Sequence, residues 1–356
     1  MKEAIDLLLA FIKKPQVVSD FAADDWNRLI SQARFHELMV LVHDILQQRD
    51  LISDTPVEID ELLRGYSNRQ AYLTTLFQWE IGLVRRLADE VDYPVLVLKG
   101  MAYVLAELGS WKSRAFADID VLVAPRNFTD FEGRLQRSGW ESKPLNDYDD
   151  HYYRQWSHAS PPLVNRNSGI ELDLHHHISS PISDQPIDTG SLLDEAVAIG
   201  NSGFYRLGDE DLILHCANHF IYFDDLQGRF KDLVLIYRIL LASDNPDLWP
   251  SLDRRARQLG LQTTFYYLVR LLQYYFAVDV PHSVVARLDD TPLRRAVMWL
   301  LTNSLTPFDN RGVRLAVIQF LLVARYQWTR YPAHILAYHL LRKHVGNRVA
   351  GLFKRR

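Results

Sequence analysis

The chain has 356 residues, 48% hydrophobic and 24% charged, the proportions of a water-soluble globular protein of one large or two modest domains. One cysteine, Cys216, excludes an intramolecular disulfide and points to a reducing, cytoplasmic setting, and no run of about twenty apolar residues exists to span a bilayer. Of 40 Lys/Arg, ten fall in 311–356, which has no Asp/Glu; 30 basic and 44 acidic residues remain in 1–310, so a tail near +10 joins a body near −14.

In chain order, Met1 to Asp6 carries acids before a short apolar run, unlike a basic signal-peptide n-region, so no leader is expected. Residues 3–15 and 25–48 read as helices, the second from the spacing of Leu29, Ile30, Ala33, Leu38, Leu41, Val42 and Ile45. Thr55-Pro56-Val57-Glu58 reads as a helix start with Thr55 as N-cap and Glu58 closing a capping box, and the helix runs to about Asp89. Val95 to Leu98 is apolar throughout, as in a strand buried on both faces. Lys99-Gly100 follows, then a helix from Met101 to about Leu108, with Gly109 placed to cap it.

A second strand covers 117–123, and a helix runs from Phe128 to Ser138, ended by Gly139. If the two strands are parallel, the intervening helix makes a right-handed crossover. Tyr152 to Trp156 reads as a strand. Leu163-Val164-Asn165 and Ile170 to Leu174 flank Arg166-Asn167-Ser168-Gly169, a hairpin turn. The Ser-, Pro-, Asp- and Gly-rich 179–208 reads as a connection. Helices are expected at about 210–222 (capped by Asp209), 231–243, 248–259, 263–276, 281–288, 291–304, 312–328 and 333–345.

The chemistry concentrates in Asp118-Ile119-Asp120-Val121-Leu122-Val123. Side chains alternate along a strand, so Asp118 and Asp120 share a face, where two carboxylates repel unless a cation lies between them. Mg²⁺ commonly takes one or two carboxylates plus substrate phosphates, so metal-dependent phosphoryl chemistry leads. On the later strand Asp173 and His175 share a face, with Glu171 a weaker acid beside them. His175-His176-His177 does not read as zinc, because alternation lets at most two converge and zinc needs three or four ligands. Lys99, Arg114, Asn218, His219, Arg229, Lys231 and Asp232 are candidate phosphate or substrate contacts, and Cys216 a small core residue.

Leu98-Lys99-Gly100, Arg114 with the Asp118-to-Val123 block, Ser138-Gly139-Trp140, and Glu171-Leu172-Asp173-Leu174-His175 stand in order. This set resembles the polymerase β type nucleotidyltransferase superfamily, and more closely a bacterial family described only as uncharacterised nucleotidyltransferases. Ala33-Arg34-Phe35-His36 and the helix around His215 to Asp232 also look similar, so the resemblance covers about 25–280. It implies two Mg²⁺ ions on Asp118, Asp120 and Asp173, an NTP donor, Asp173 as base, Gly100 admitting phosphates, and Lys99, Arg114 and His175 as phosphate or substrate contacts. Gly100-Met101 departs from the superfamily's usual Gly-Ser or Gly-Gly, so Lys99 or Arg114 takes phosphate instead, or the nucleotide sits differently.

The expected fold class is α+β, a nucleotidyltransferase-type mixed β-sheet core at 93–178. An N-terminal helical region (1–92) packs on it, followed by a helical domain (179–310) and a basic aromatic tail (311–356). The expected reaction moves an NMP to a hydroxyl or phosphate acceptor on a small molecule, a protein or an RNA end. The competing class is a noncatalytic nucleotide-sensing scaffold. The tail, with Phe320, Tyr326, Trp328, Tyr331 and Tyr338 among arginines, suits core packing, a peripheral membrane interface or nucleic-acid stacking.

Overall fold

The structure, a computed structural model, describes residues 6–108, 118–142, 145–183, 186–222, 226, 229–305 and 312–338. The chain opens with helices α1 (Asp6–Lys13), α2 (Ala23–Phe35) and α3 (Met39–Gln48), then the 32-residue α4 (Val57–Ala88). The single helix expected over 25–48 is broken. Glu37 turns left-handed (φ 56°), and the Leu38 amide reaches the Ala33 carbonyl at 2.7 Å in a Schellman closure. Glutamate fills the place usually marked by glycine, so the sequence carried no stop signal. The Thr55 capping box is also absent. The Thr55 hydroxyl donates to the Leu51 carbonyl at 3.0 Å, and Pro56 becomes the N-cap.

Next come β1 (Leu96–Val97), α5 (Lys99–Leu105), β2 (Asp118–Leu122), α6 (Phe128–Arg137), β3 (Trp140–Ser142) and α7 (Asp147–Gln155). β1 and β2 pair antiparallel, Leu96 opposite Leu122, so the condition for a right-handed crossover between them is not met. At seven residues α5 is only about 10 Å long. It ends on another left-handed acid, Glu107 (φ 52°), with Leu108 N–H on the Tyr103 carbonyl, before the proposed cap Gly109, which lies outside the described residues. The strand expected at 152–156 is the end of α7. Asn146 caps that helix by accepting from the amides of Tyr148 and Asp149, and three aspartates in its first turn favour the positive end of its dipole.

β4 (Leu163–Asn165) and β5 (Glu171–His175) form the expected hairpin, turning through Gly169 at φ 72°. The segment read as a connection instead supplies α8 (Thr189–Asp194), β6 (Val197–Ala198) and β7 (Tyr205–Arg206). β7 pairs parallel with β1, completing a seven-stranded mixed sheet in the order β3-β4-β5-β2-β1-β7-β6 among the described residues, so the fold is α+β. Helices α9 (Asp209–Ile221), α10 (Phe230–Ala242), α11 (Leu248–Gln258), α12 (Gln262–Phe276), α13 (His282–Val285), α14 (Pro292–Leu305) and α15 (Val313–Arg330) follow close to the expected places, although the N-cap of α9 is Gly208 rather than Asp209.

Two apolar clusters hold these layers. One fills the sheet with Val97, Ile119, Val121, Leu172 and Leu174, covered by Phe77, Ile81 and Val84 of α4 and Phe131 and Leu135 of α6. The other joins Leu8, Phe11, Leu29 and Val42 of α1 to α3 with Phe220, Phe230, Leu268 and Leu301 of the C-terminal helices. Residues 1–92 are thus divided: α1 to α3 pack with the helical half, and the end of α4 lies on the sheet. Each fully buried side chain of this kind contributes about 1.5–3 kcal/mol. α15 is docked as well, through buried Leu315, Ile318 and Leu322, while Val313, Val317, Phe320 and Trp328 face outward. Arg325 donates to the Ile221 carbonyl at 3.2 Å and lies over Tyr222.

Candidate active site

β2 and β5 run parallel and in register, with Asp118 beside Glu171, Asp120 beside Asp173 and Leu122 beside His175. The two-residue period places all the acids and His175 on one face and Ile119, Val121, Leu172 and Leu174 on the other. Those four are fully buried. A slip of one residue would drive Asp120 and Asp173 into the apolar layer, so burial of the apolar set fixes the polar one.

Asp120 is only 1% exposed. Its Oδ1 accepts a hydrogen bond from Lys99 Nζ at 2.7 Å, and His175 Nε2 lies 2.9 Å from the same oxygen. Asp120, Asp173 and His175 each bring one donor atom to a group spanning no more than 4.8 Å. Burial pushes the Asp120 carboxyl up, but the Lys99 charge and the His175 hydrogen bond overcome it and hold the group well below the usual carboxylate range. That carboxylate requires the proton on His175 Nε2, and His175 Nδ1 is buried with no partner among the described residues. Asp173 goes the other way: burial, then the neighbouring Asp120 charge, push it up to about 6. Burial draws Lys99 down, but the Asp120 charge more than compensates and raises it.

Lys99 reaches this place through a strained backbone. It opens α5 with φ 45°, a conformation uncommon for a residue with a Cβ. The Leu98 amide is tied to the Asp120 carbonyl at 2.9 Å, which anchors the turn to β2. Gly100 is buried in the first turn of α5. Asp118 is half-buried at the start of β2. Its charge acts on Lys99 and Asp173, but it is not one of the three residues whose donor atoms converge. Arg114 lies outside the described residues.

The His175 to His177 run separates as alternation requires. His176 packs edge-on against Phe128, and His177 Nδ1 lies 3.0 Å from Thr189 Oγ1. Of the downstream candidates His219 feels the cluster, and Arg229 acts on it in turn. The His219 pKa is pushed well below the ordinary value by burial, then by the Lys99 charge. Asn218 accepts from Thr264, Arg229 pairs with Asp232, and Lys231 with Glu37. Cys216 is buried and in no disulfide.

His158 is an addition the sequence did not point to, and so is Arg330, whose charge reaches His158. The His158 ring lies 5.2 Å from His175, and its carbonyl accepts from the amides of His176 and His177. Burial and the charges of His175 and Arg330 push its pKa far down. Each is a single residue far in sequence from β2, without a local motif. Two carboxylates and an imidazole in one small volume, with one carboxyl driven toward neutrality by burial and then by the other's charge, form a donor set that fits a divalent cation.

A family model described as an uncharacterised nucleotidyltransferase matches residues 22–277, stopping short of α14 and α15. Nothing among the curated proteins or the solved structures matches the chain.

Proposed function

The chain belongs to the uncharacterised nucleotidyltransferase family, and from that premise we propose that it transfers a nucleoside monophosphate from an NTP to a hydroxyl or phosphate acceptor with Mg²⁺ as cofactor. The observation that carries the reading is the in-register pair Asp120 and Asp173, with His175 against the same carboxylate. A bound divalent cation neutralises donor phosphates and lowers the pKa of the acceptor hydroxyl. Asp120 and Asp173 would hold it, with Asp118 as the third carboxylate where two ions bind. His175 fixes the orientation of Asp120, as partners of metal-binding carboxylates do. Lys99 and Arg114 offset charge that grows on the leaving group. Asp173 receives the proton of the acceptor hydroxyl. The acceptor oxygen forms a bond to the α-phosphorus, the bond from that phosphorus to the bridging oxygen breaks, and pyrophosphate leaves with that electron pair.

The test is release of pyrophosphate from labelled NTPs with Mg²⁺ or Mn²⁺, with and without cell extract to supply acceptors. Absence of release together with absence of metal-dependent NTP binding would sink the reading. A second reading, a noncatalytic nucleotide-binding scaffold, draws support from the Lys99–Asp120 pair, because an ammonium already neutralises the buried carboxylate. NTP binding that ignores metal and leads to no turnover would favour it.

A further inference from the structure

We propose that Arg330, delivered by α15 and framed by Tyr152, Tyr326 and Tyr331, is a binding site for a phosphate group at the edge of the aspartate cluster. The guanidinium is half-buried. It donates to Tyr152 Oη at 2.9 Å and to Tyr326 Oη, and lies 5.4 Å from the ring centres of both Tyr326 and Tyr331. Tyr152 and Tyr331 join their hydroxyls at 2.9 Å. Among the described residues no carboxylate forms an ion pair with it. Three other partly buried arginines have one: Arg255 has Asp211, Arg134 has Glu90 and Asp130, and Arg206 has Asp209; Arg325 on the same helix instead has a backbone carbonyl and two tyrosine rings. A cation removed from water without a counter-charge is costly, and neutral phenols leave that charge uncompensated.

Position supplies the second argument. Tyr152 adjoins Tyr153, which senses both Asp173 and Arg330, and His158, which senses Arg330, faces His175 across 5.2 Å. Tyr152 therefore ties the guanidinium to the segment whose His158 borders His175. The planar fork of donors on the guanidinium matches two oxygens of a phosphate, and phenol hydroxyls can serve a third. The site stands on its own geometry, and the identity of its ligand rests on the nucleotidyl-transfer reading. The phosphate belongs either to the donor's triphosphate or to a phosphorylated acceptor.

The experiment is calorimetric titration of the full chain, wild type and Arg330→Gln, with Mg²⁺-ATP, with tripolyphosphate, and with inorganic phosphate on protein saturated with a nonhydrolysable ATP analogue. A loss of tenfold or more in affinity for ATP and tripolyphosphate supports the site and assigns it to the donor. The same loss confined to inorganic phosphate supports it and assigns it to the acceptor. If wild type ignores ATP yet binds tripolyphosphate through Arg330, the site stands and the nucleotidyl-transfer reading falls. Equal affinities in both proteins, or binding of none of the three probes by wild type, overturn the proposal. Should Arg330→Gln fail to fold, Arg330→Lys keeps the charge and loses the fork. It must then bind several-fold more weakly than wild type, and unchanged affinity overturns the proposal. Mn²⁺ affinity, read in parallel, stays at the wild-type level if Arg330 touches phosphate, whereas collapse of the cleft lowers it.

Discussion

Two aspartates are buried to nearly the same degree and are held differently. Asp211, on α9, is clamped by one guanidinium: Arg255 Nε reaches Oδ1 at 2.6 Å and Nη2 reaches Oδ2 at 2.7 Å. Both oxygens are taken by a fixed fork, and the charges of Glu195 and Glu210 add to that of Asp211 on Arg255. Asp120, on β2, has its lysine and its histidine on one oxygen, and a neighbouring carboxyl driven up to about 6. The first arrangement is closed and joins α9 to α11. The second keeps two like charges in a small volume, held by a lysine whose own backbone is strained. Burial alone does not distinguish the two; how the buried charge is satisfied does.

The sharpest test exchanges each acid for its amide. Asp120→Asn should lower nucleotidyl transfer by at least about a hundredfold, the scale of single electrostatic contacts at a reacting group, while urea unfolding stays cooperative. Asp211→Asn should cost about 3–5 kcal/mol in unfolding free energy by leaving Arg255 unpaired, with activity per folded molecule retained. Loss of activity in Asp211→Asn without loss of stability would break the comparison.

A buried histidine gives an independent scale for burial. His36 packs against Phe35 and Phe230, has no partner for either ring nitrogen among the described residues, and is pushed down to about 4 by burial. The unfolded chain takes up a proton near 6.5 and the folded one near 4. The stability this neutral ring confers is therefore present above pH 6.5 and is lost as pH falls toward 4, by about 3 kcal/mol in all. His36→Phe should flatten that acid limb in a series of urea titrations, and an unchanged limb would refute it.

Asp173 carries the opposite sign. Its folded pKa lies above the unfolded one, so its favourable share is present below about pH 4 and gone above 6. At pH 7.5 without metal, Asp173→Asn should raise stability by about 2 kcal/mol, where Asp211→Asn lowers it. Mn²⁺ should raise the Tm of wild type and leave that of Asp173→Asn unmoved. The smallest effect separates two strained ends of one helix. Glu107→Gly at the C-terminal end of α5 should stabilise by up to about 1 kcal/mol by relieving the left-handed backbone. Lys99→Gly relieves the same strain at the other end and should still destroy transfer.

The acid-bearing strand, the hairpin and most of the C-terminal helices were legible because each rests on a local period or on a glycine turn, as at Asp118 to Leu122 and Gly169. The break at Glu37 and the end of α5 at Glu107 were not, because acids occupy left-handed positions that sequence reading assigns to glycine. The expected strand at 152–156 failed for a related reason: its aromatic, β-favouring residues were outweighed by the Asn146 cap and the aspartates that follow it.

By itself the sequence determined that Asp118 and Asp120 share a strand face, that Asp173 and His175 share another, and that an apolar set lies behind each, since alternation is a property of the extended chain. Only the tertiary structure decided that the two strands pair in parallel with Asp120 beside Asp173. It also decided that Lys99 and His175 meet on one oxygen, that a histidine from 158 faces His175, and that an arginine from 330 meets Tyr152. Those contacts join residues tens to hundreds of positions apart, and they are set by how the apolar layers stack.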